Sequence, residues 1–126
     1  MPSPVAWLGA LAVILVAATL VWFAGPAGIE ARHHFVSPSG RIVLDLGETC
    51  AEAGCTRVLV KEESAPDGRR LRQGCPVPLT EPRPMLRNAY PLWSDDERAV
   101  DLVYADADGV GGKFTIDLAR DCTGAA

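Results

Sequence analysis

The chain is 126 residues long, 48% hydrophobic and 22% charged, and its 12 basic and 16 acidic residues give a net charge of −4. Every Asp, Glu, Lys and Arg lies within residues 30–126, and residues 1–29 contain none. This division excludes a polytopic membrane protein, a disordered chain and a large multidomain enzyme, because the charged part has the size and composition of one small domain. We therefore predict an N-terminal transmembrane anchor, residues 1–29, followed by a β-rich domain, residues 30–126.

The uncharged leader has the length of a membrane span. Residues 5–24 would extend about 30 Å as a helix, which is the thickness of a bilayer hydrocarbon core. Trp7 near one end, and Trp22 and Phe23 near the other, match the aromatic belts of membrane interfaces. A cleaved signal peptide is the alternative, because small residues flank Pro26, but the leader lacks a basic n-region and its apolar run is long. The pattern favours a retained single-pass anchor in the cell membrane.

Two signals disagree on the orientation of this anchor. Arg32 and Arg41 follow the span and no Lys or Arg precedes it, so the positive-inside rule places the β domain inside. The four cysteines favour a domain that folds in an oxidising compartment. Because two arginines beside Glu30 are a weak signal, we expect the domain to be extracytoplasmic, either periplasmic or extracellular.

Three β-hairpins are predicted in the remaining chain, each with turn residues between two β-like runs. They comprise residues 34–36 with 41–46, residues 57–62 with 69–72, and residues 99–104 with 113–118. The two-residue period places Ile42, Leu44 and Leu46 on one face of their strand. Phe114, Ile116 and Leu118 share the inward face of the last strand by the same period. The fold class is therefore mainly β, a small antiparallel sandwich or barrel-like domain with disulfides.

Residues 75–93 contain five prolines, which exclude a central strand or a regular helix there. We expect an ordered crossover loop that packs Met85, Leu86, Leu92 or Trp93 onto the core. The next residues, 94–97, have the Ser-x-x-Glu form of a helix capping box. The β-branched and aromatic residues that follow favour a strand over residues 100–104 instead.

The cysteines at positions 50, 55, 75 and 122 predict disulfides. Their spacing has neither the two close pairs of a zinc ribbon nor the C-x-x-C of redox and haem-binding motifs. Of the three possible pairings, we favour Cys50 with Cys55, which closes a short loop. Cys75 with Cys122 would then join the second hairpin to the end of the last strand.

Candidate metal and catalytic residues give no positive prediction. His33 and His34 would point to opposite faces of a strand, so they are expected to be solvated near the membrane, with a pH-sensitive contact as the alternative. Residues 106–109 match part of a calcium loop but lack the later ligands, which favours a turn. Because no nucleophile motif or phosphate-binding Gly-rich loop occurs, we predict no catalytic residue, no metal and no cofactor.

Charge gives a weak indication of partners. The net negative charge disfavours nucleic-acid binding. Arg69, Arg70 and Arg72 form a basic cluster which, with Trp93, is the speculative partner-binding set. The alternative for the cluster is a solvated edge strand protected by its charges.

Together these features predict a non-enzymatic, membrane-anchored accessory or scaffolding subunit. Its expected partners are the lipid bilayer and a larger membrane or envelope protein. The short connection at residues 25–32 would keep that protein at or near the membrane surface. The alternatives are a secreted binding or inhibitor domain with a cleaved signal peptide, and a cryptic enzyme or metal-dependent module.

Overall fold

The structure of the chain is a computed structural model that describes residue 13 and residues 29–126. The predicted anchor, with its interface residues Trp7, Trp22 and Phe23, lies outside the described residues. Among the residues that are described, no helix is long and apolar enough to cross a membrane.

Residues 29–75 form the first of two antiparallel sheets. Its strands are β1 (Ile29–Val36), β2 (Ile42–Ala51), β3 (Gly54–Ser64) and β4 (Arg70–Cys75), in that spatial order. The predicted strands 34–36 and 41–46 belong to one hairpin, and the predicted strands 57–62 and 69–72 belong to another. These two hairpins form one continuous meander because β2 also pairs with β3 from Ile42–Glu63 to Ala51–Gly54, a pairing that the sequence analysis did not predict.

The second sheet contains β5 (Asn88–Trp93), β6 (Ala99–Ala105) and β7 (Gly111–Asp117), again in sequential antiparallel order. The predicted third hairpin, residues 99–104 with 113–118, is confirmed by the pairing of β6 with β7. Residues 76–87, which we call the connecting segment, join the two sheets. The prediction of a mainly β, antiparallel fold is therefore confirmed for residues 29–126.

One hydrophobic core is shared by both sheets. Ile42, Leu44 and Leu46 of β2 are at most 2% exposed, which confirms the predicted inward face. They belong to the same buried cluster as residues of the second sheet, including Leu102 and Ile116. The alternating side chains of the two sheets thus bury their apolar faces against each other.

Both predicted disulfides are confirmed. Cys50 and Cys55 are opposite each other at the end of the β2–β3 ladder and are bonded. Cys75 at the end of β4 is bonded to Cys122, which is fully buried in the segment after β7.

The predicted loop over residues 75–93 is wrong at its C-terminal end, because residues 88–93 form β5. A hydrogen bond from the Ser94 N–H to the Ala99 carbonyl shows which residues of β5 are bonded to β6: the even-numbered ones. In that phase the nitrogen of Pro91 lies on the side away from β6, so the missing N–H costs no ladder bond. The five prolines exclude only a central strand, and β5 is an edge strand.

Packing of this stretch agrees with the prediction at three of its four apolar residues. Met85 and Leu86 are buried, and Trp93 packs partly against the core. Leu92, the fourth of the alternatives, is 52% exposed because it has the opposite phase to Trp93 in β5.

Residues 94–97 form a hairpin turn rather than a helix cap. The Ser94 hydroxyl accepts the N–H of Ala99 and donates to Asp96, and Glu97 has a left-handed φ of 57°. The predicted preference for a strand after this turn is confirmed by β6.

The two disulfides should contribute unequally to stability. Replacing Cys75 and Cys122 together by Ala reopens a link that spans 47 residues, with an expected loss of about 4 kcal/mol in the chain-entropy model. The same change at Cys50 and Cys55 should cost about 2 kcal/mol, since the closed loop is short. Urea unfolding of the full chain in detergent, followed by far-UV circular dichroism, measures both. A larger loss at Cys50 and Cys55 would contradict the prediction.

Candidate functional site

An ion pair is buried on the inner side of the first sheet. Glu48 of β2 and Arg57 of β3 are opposite each other in the ladder, and their side chains are 1% and 5% exposed. The Nε atom of Arg57 donates to Oε2 of Glu48 at 2.7 Å. Two opposite charges therefore lie on the inward faces of their strands, where apolar side chains are expected.

The same two side chains hold the connecting segment against the first sheet. The Glu48 carboxylate accepts the backbone N–H groups of Met85 and Leu86 at 3.0–3.1 Å. The Arg57 guanidinium donates to the carbonyl oxygens of three more residues of the segment, Leu79, Glu81 and Arg83, at 2.8–3.1 Å. These backbone groups replace the water that both charges lose on burial.

This pair was not predicted from the sequence, although the strand periods contain a signal for it. Glu48 continues the inward phase of Leu44 and Leu46, and Arg57 shares the phase of Leu59. A charged residue in the apolar phase of a strand requires a partner, because unpaired burial is costly. The phase thus indicates burial of both charges but not the residues that they bind.

A third charge on the inner side, Lys61 of β3, holds the segment that follows β7. The side chain of Lys61 is 5% exposed. Its Nζ donates to the Leu118 carbonyl at 3.1 Å and lies 3.3 Å from Oε2 of Glu63. Inward-facing side chains of β3 therefore hold two segments in place: Arg57 binds the connecting segment, and Lys61 binds the segment after β7.

The two histidines point to opposite faces of β1, as predicted. The Nε2 atom of His33 donates to the Leu86 carbonyl at 2.6 Å, and its ring stacks on Phe35 with centroids 5.9 Å apart. His34 is exposed, and its Nδ1 lies 2.7 Å from Oδ1 of Asp45. The expected solvation is only partly correct for His33, which is half-buried and hydrogen-bonded to the connecting segment.

Asp106 organises the turn between β6 and β7, which confirms the predicted turn at residues 106–109. Its Oδ1 accepts the N–H groups of Asp108 and Val110, and its Oδ2 accepts a hydrogen bond from Arg83. The hydrogen bond from Arg83, followed by that from Val110, lowers the pKa of the Asp106 carboxyl from its ordinary value. Within residues 29–126 no three His, Cys, Asp or Glu side chains lie together in a metal-binding arrangement.

The candidate binding face is the outer face of the first sheet, the side turned away from the shared core. Val58, 53% exposed, and the half-buried Val60 form its apolar centre on β3. Gly47 is opposite Val58 in the ladder, and a Cβ at Gly47 would meet no atom within 4 Å. This gap deepens a groove of about 850 Å³, whose rim includes Thr49 and Thr56.

Charged residues complete the rim of the outer face. The His34–Asp45 pair lies on one side of the valines, and Arg72 of β4 on the other. Arg70 is hydrogen-bonded to Glu62 at 3.0 Å, and the remaining arginine of the predicted cluster, Arg69, is paired with Asp67. The face therefore has an apolar centre and a polar border.

The predicted partner-binding residues do not form one surface. Arg70 and Arg72 extend from the exposed strand β4, and Arg72 lines the outer-face groove. Trp93 lies on β5 of the other sheet, on the side that packs against the core. No known protein family, curated protein or solved structure matches this chain.

Replacing Glu48 with Ala should destabilise the domain by about 3–5 kcal/mol, because the buried Arg57 and two backbone N–H groups lose their acceptor. The connecting segment should also become sensitive to trypsin after Arg87, which precedes Asn88; the bond after Arg83 leads into Pro84 and resists trypsin. Urea unfolding and limited proteolysis measure the two effects. The matched control is Arg70→Ala, which breaks a pair whose arginine is 65% exposed and should cost less than about 1 kcal/mol. Equal losses for the two variants would contradict the structural role of Glu48.

Acid should weaken the β6–β7 turn through Asp106. A carboxyl whose pKa is lower in the folded state stabilises that state above its unfolded pKa, and this contribution is lost as the pH falls. Asp106→Asn removes it, so stability should depend less steeply on pH between about pH 5 and pH 2 than in the unmodified chain. Urea unfolding across this range tests the difference. Identical slopes would show that the folded state does not lower this pKa.

Proposed function

We propose that the chain is a non-enzymatic, membrane-anchored accessory or scaffolding subunit. Its β domain binds a larger membrane or envelope protein through the outer face of the first sheet. The observation that carries this proposal is the exposed apolar centre at Val58 and Val60, bordered by polar side chains. An exposed apolar patch with a polar rim is typical of protein interaction sites.

The buried charges support a role other than catalysis. Glu48, Arg57 and Lys61 are the unusual polar groups of the interior, and each is hydrogen-bonded to backbone of a segment that it holds. Apart from the Glu48–Arg57 and Lys61–Glu63 contacts, the groups to which they are hydrogen-bonded belong to the main chain. This use of charge is typical of structural positions.

Rigidity also supports a binding role. The strands β2 and β3 carry the outer face, and the Glu48–Arg57 pair and the Cys50–Cys55 bridge join the same two strands. A surface held in one conformation loses less entropy when a partner docks. The apolar centre is therefore presented in a form suited to recognition.

The position of the face along the chain supports a partner at the membrane. Strand β1 begins at Ile29, directly after the uncharged leader, and it belongs to the sheet that carries the outer face. With the leader retained as an anchor, the sheet stays within a few residues of the bilayer. With the leader cleaved, the same face would serve a secreted binding domain, and the mass of the mature chain separates the two cases.

The test compares two valines of similar exposure, Val58 at 53% and Val110 at 56%. The full chain is purified in mild detergent after chemical crosslinking in native membranes, and crosslinked proteins are identified by mass spectrometry. Val58→Glu should reduce recovery of the main partner by about tenfold or more, since a charge would enter an apolar centre. Val110→Glu, in the β6–β7 turn, should leave recovery unchanged. Equal recovery with both variants, or a chain without any partner, would contradict the proposal.

A further inference from the structure

Strand β1 has an open side at the edge of the first sheet. The Ser37 N–H bonds to the Ile42 carbonyl at 2.8 Å, which sets the phase of the β1–β2 ladder. Antiparallel strands alternate between bonded and unbonded pairs, so the odd-numbered residues of β1 bond to β2. The N–H and C=O groups of residues 30, 32, 34 and 36 therefore point outward. Within the described part of the chain, none of these groups has a hydrogen-bond partner.

Each of the other three sheet edges is blocked at one outward-pointing residue. Pro91 lacks the N–H that would point outward from β5. Gly74 of β4 exchanges two hydrogen bonds with Gly124, at 2.9 and 3.1 Å. On β7 the outward N–H of Asp117 is bound by the Asp121 carboxylate at 2.9 Å. Natural sheets protect their edges against pairing in such ways, and the eight-residue strand β1 has no outward residue blocked within the described chain.

The side chains of β1 suit pairing with a second copy of itself. Glu30 and Arg32 lie on the outer side of the sheet, 57% and 83% exposed, with their charged atoms 3.9 Å apart. When two β1 strands run antiparallel with Ala31 opposite Ala31, each Glu30 faces Arg32 of the other copy. Opposite charges directly across a ladder are favourable.

The residue at the two-fold axis of this register, Ala31, is small enough for close approach of the two strands. Ala31 would form an unbonded pair across the new ladder, where the Cα atoms approach to about 4.5 Å and small side chains fit well. A shift that places Arg32 opposite Arg32 brings like charges together. The next shift places Glu30 opposite Val36 and leaves the carboxylate without a facing cation.

We propose that two copies of this chain associate through antiparallel pairing of their β1 strands, with Ala31 at the two-fold axis and a ladder formed by residues 29–33 of each copy. The two four-stranded sheets then form one eight-stranded sheet. On the inner side of β1, a groove of about 580 Å³ bordered by Arg83 and Asp108 leaves room beside the new ladder. The outer face around Val58 remains open, so this association goes beyond the proposed function and does not depend on it.

Single cysteines test the register in the full chain in mild detergent. Ala31→Cys should form a disulfide-linked dimer at least tenfold faster than Arg32→Cys under the same mild oxidation, because only residue 31 faces itself. Non-reducing gels and peptide mapping measure the rate and identify the bond. A rate for Ala31→Cys at or below that of Arg32→Cys would overturn the proposed register.

Charge exchange tests the interface without a new thiol. Glu30→Arg and Arg32→Glu should each weaken the dimer at least tenfold in analytical ultracentrifugation, and the double exchange should restore it. Arg32→Pro should also prevent association, because its N–H points outward, while leaving the β1–β2 bonds and the circular dichroism spectrum intact. A dimer that survives both Arg32→Pro and the single charge changes, as pairing through the leader alone would, overturns the proposal. Val58→Glu should leave the dimer intact, so loss of partner binding and loss of self-association are separate outcomes.

Discussion

The fold of residues 29–126 depends on one buried ion pair. Glu48 and Arg57 satisfy five backbone groups of the connecting segment and thereby fix the path between the two sheets. A buried ion pair often adds little net stability over an apolar pair, because both charges lose their water. Here the pair fixes the position of the connecting segment, because it binds particular N–H and C=O groups. An apolar pair could not form these hydrogen bonds.

The remaining constraints act on the same strand, β3. Lys61 fixes the segment after β7 through the Leu118 carbonyl, close to where Cys122 is bonded to Cys75. At the other end of the strand, Cys55 and Arg57 both join β3 to β2. The buried charges and the Cys75–Cys122 disulfide thus hold the non-strand segments on the inner side. Among residues 29–126, none of these segments covers the outer side of the first sheet. This asymmetry is the physical basis for proposing that the outer face binds a partner.

The two proposed surfaces use different chemistry of one sheet. The outer face offers side chains, with valines surrounded by polar groups, whereas the β1 edge offers main-chain N–H and C=O groups with a Glu30–Arg32 charge pattern. The first is suited to a partner of complementary shape, and the second to another extended strand. Both lie on the sheet that continues from the uncharged leader, so an anchored chain would present both close to the membrane.

The number and spacing of the cysteines favour both disulfide pairings, one of which links residues 47 apart. The sequence also predicts the local features: three hairpins, the inward phases of Leu44 and Ile116, and the turn at Asp106. These follow from turn residues and from a two-residue period, which act between neighbours in the chain. The contacts of Glu48 and Arg57 with the connecting segment, 22 to 38 residues away, become visible in the three-dimensional structure alone. The tertiary structure also shows that His33 binds the connecting segment and that Pro91 lies in an edge strand. The two-residue period of a strand indicates which side of the sheet a residue faces. It does not indicate which distant backbone groups lie on that side.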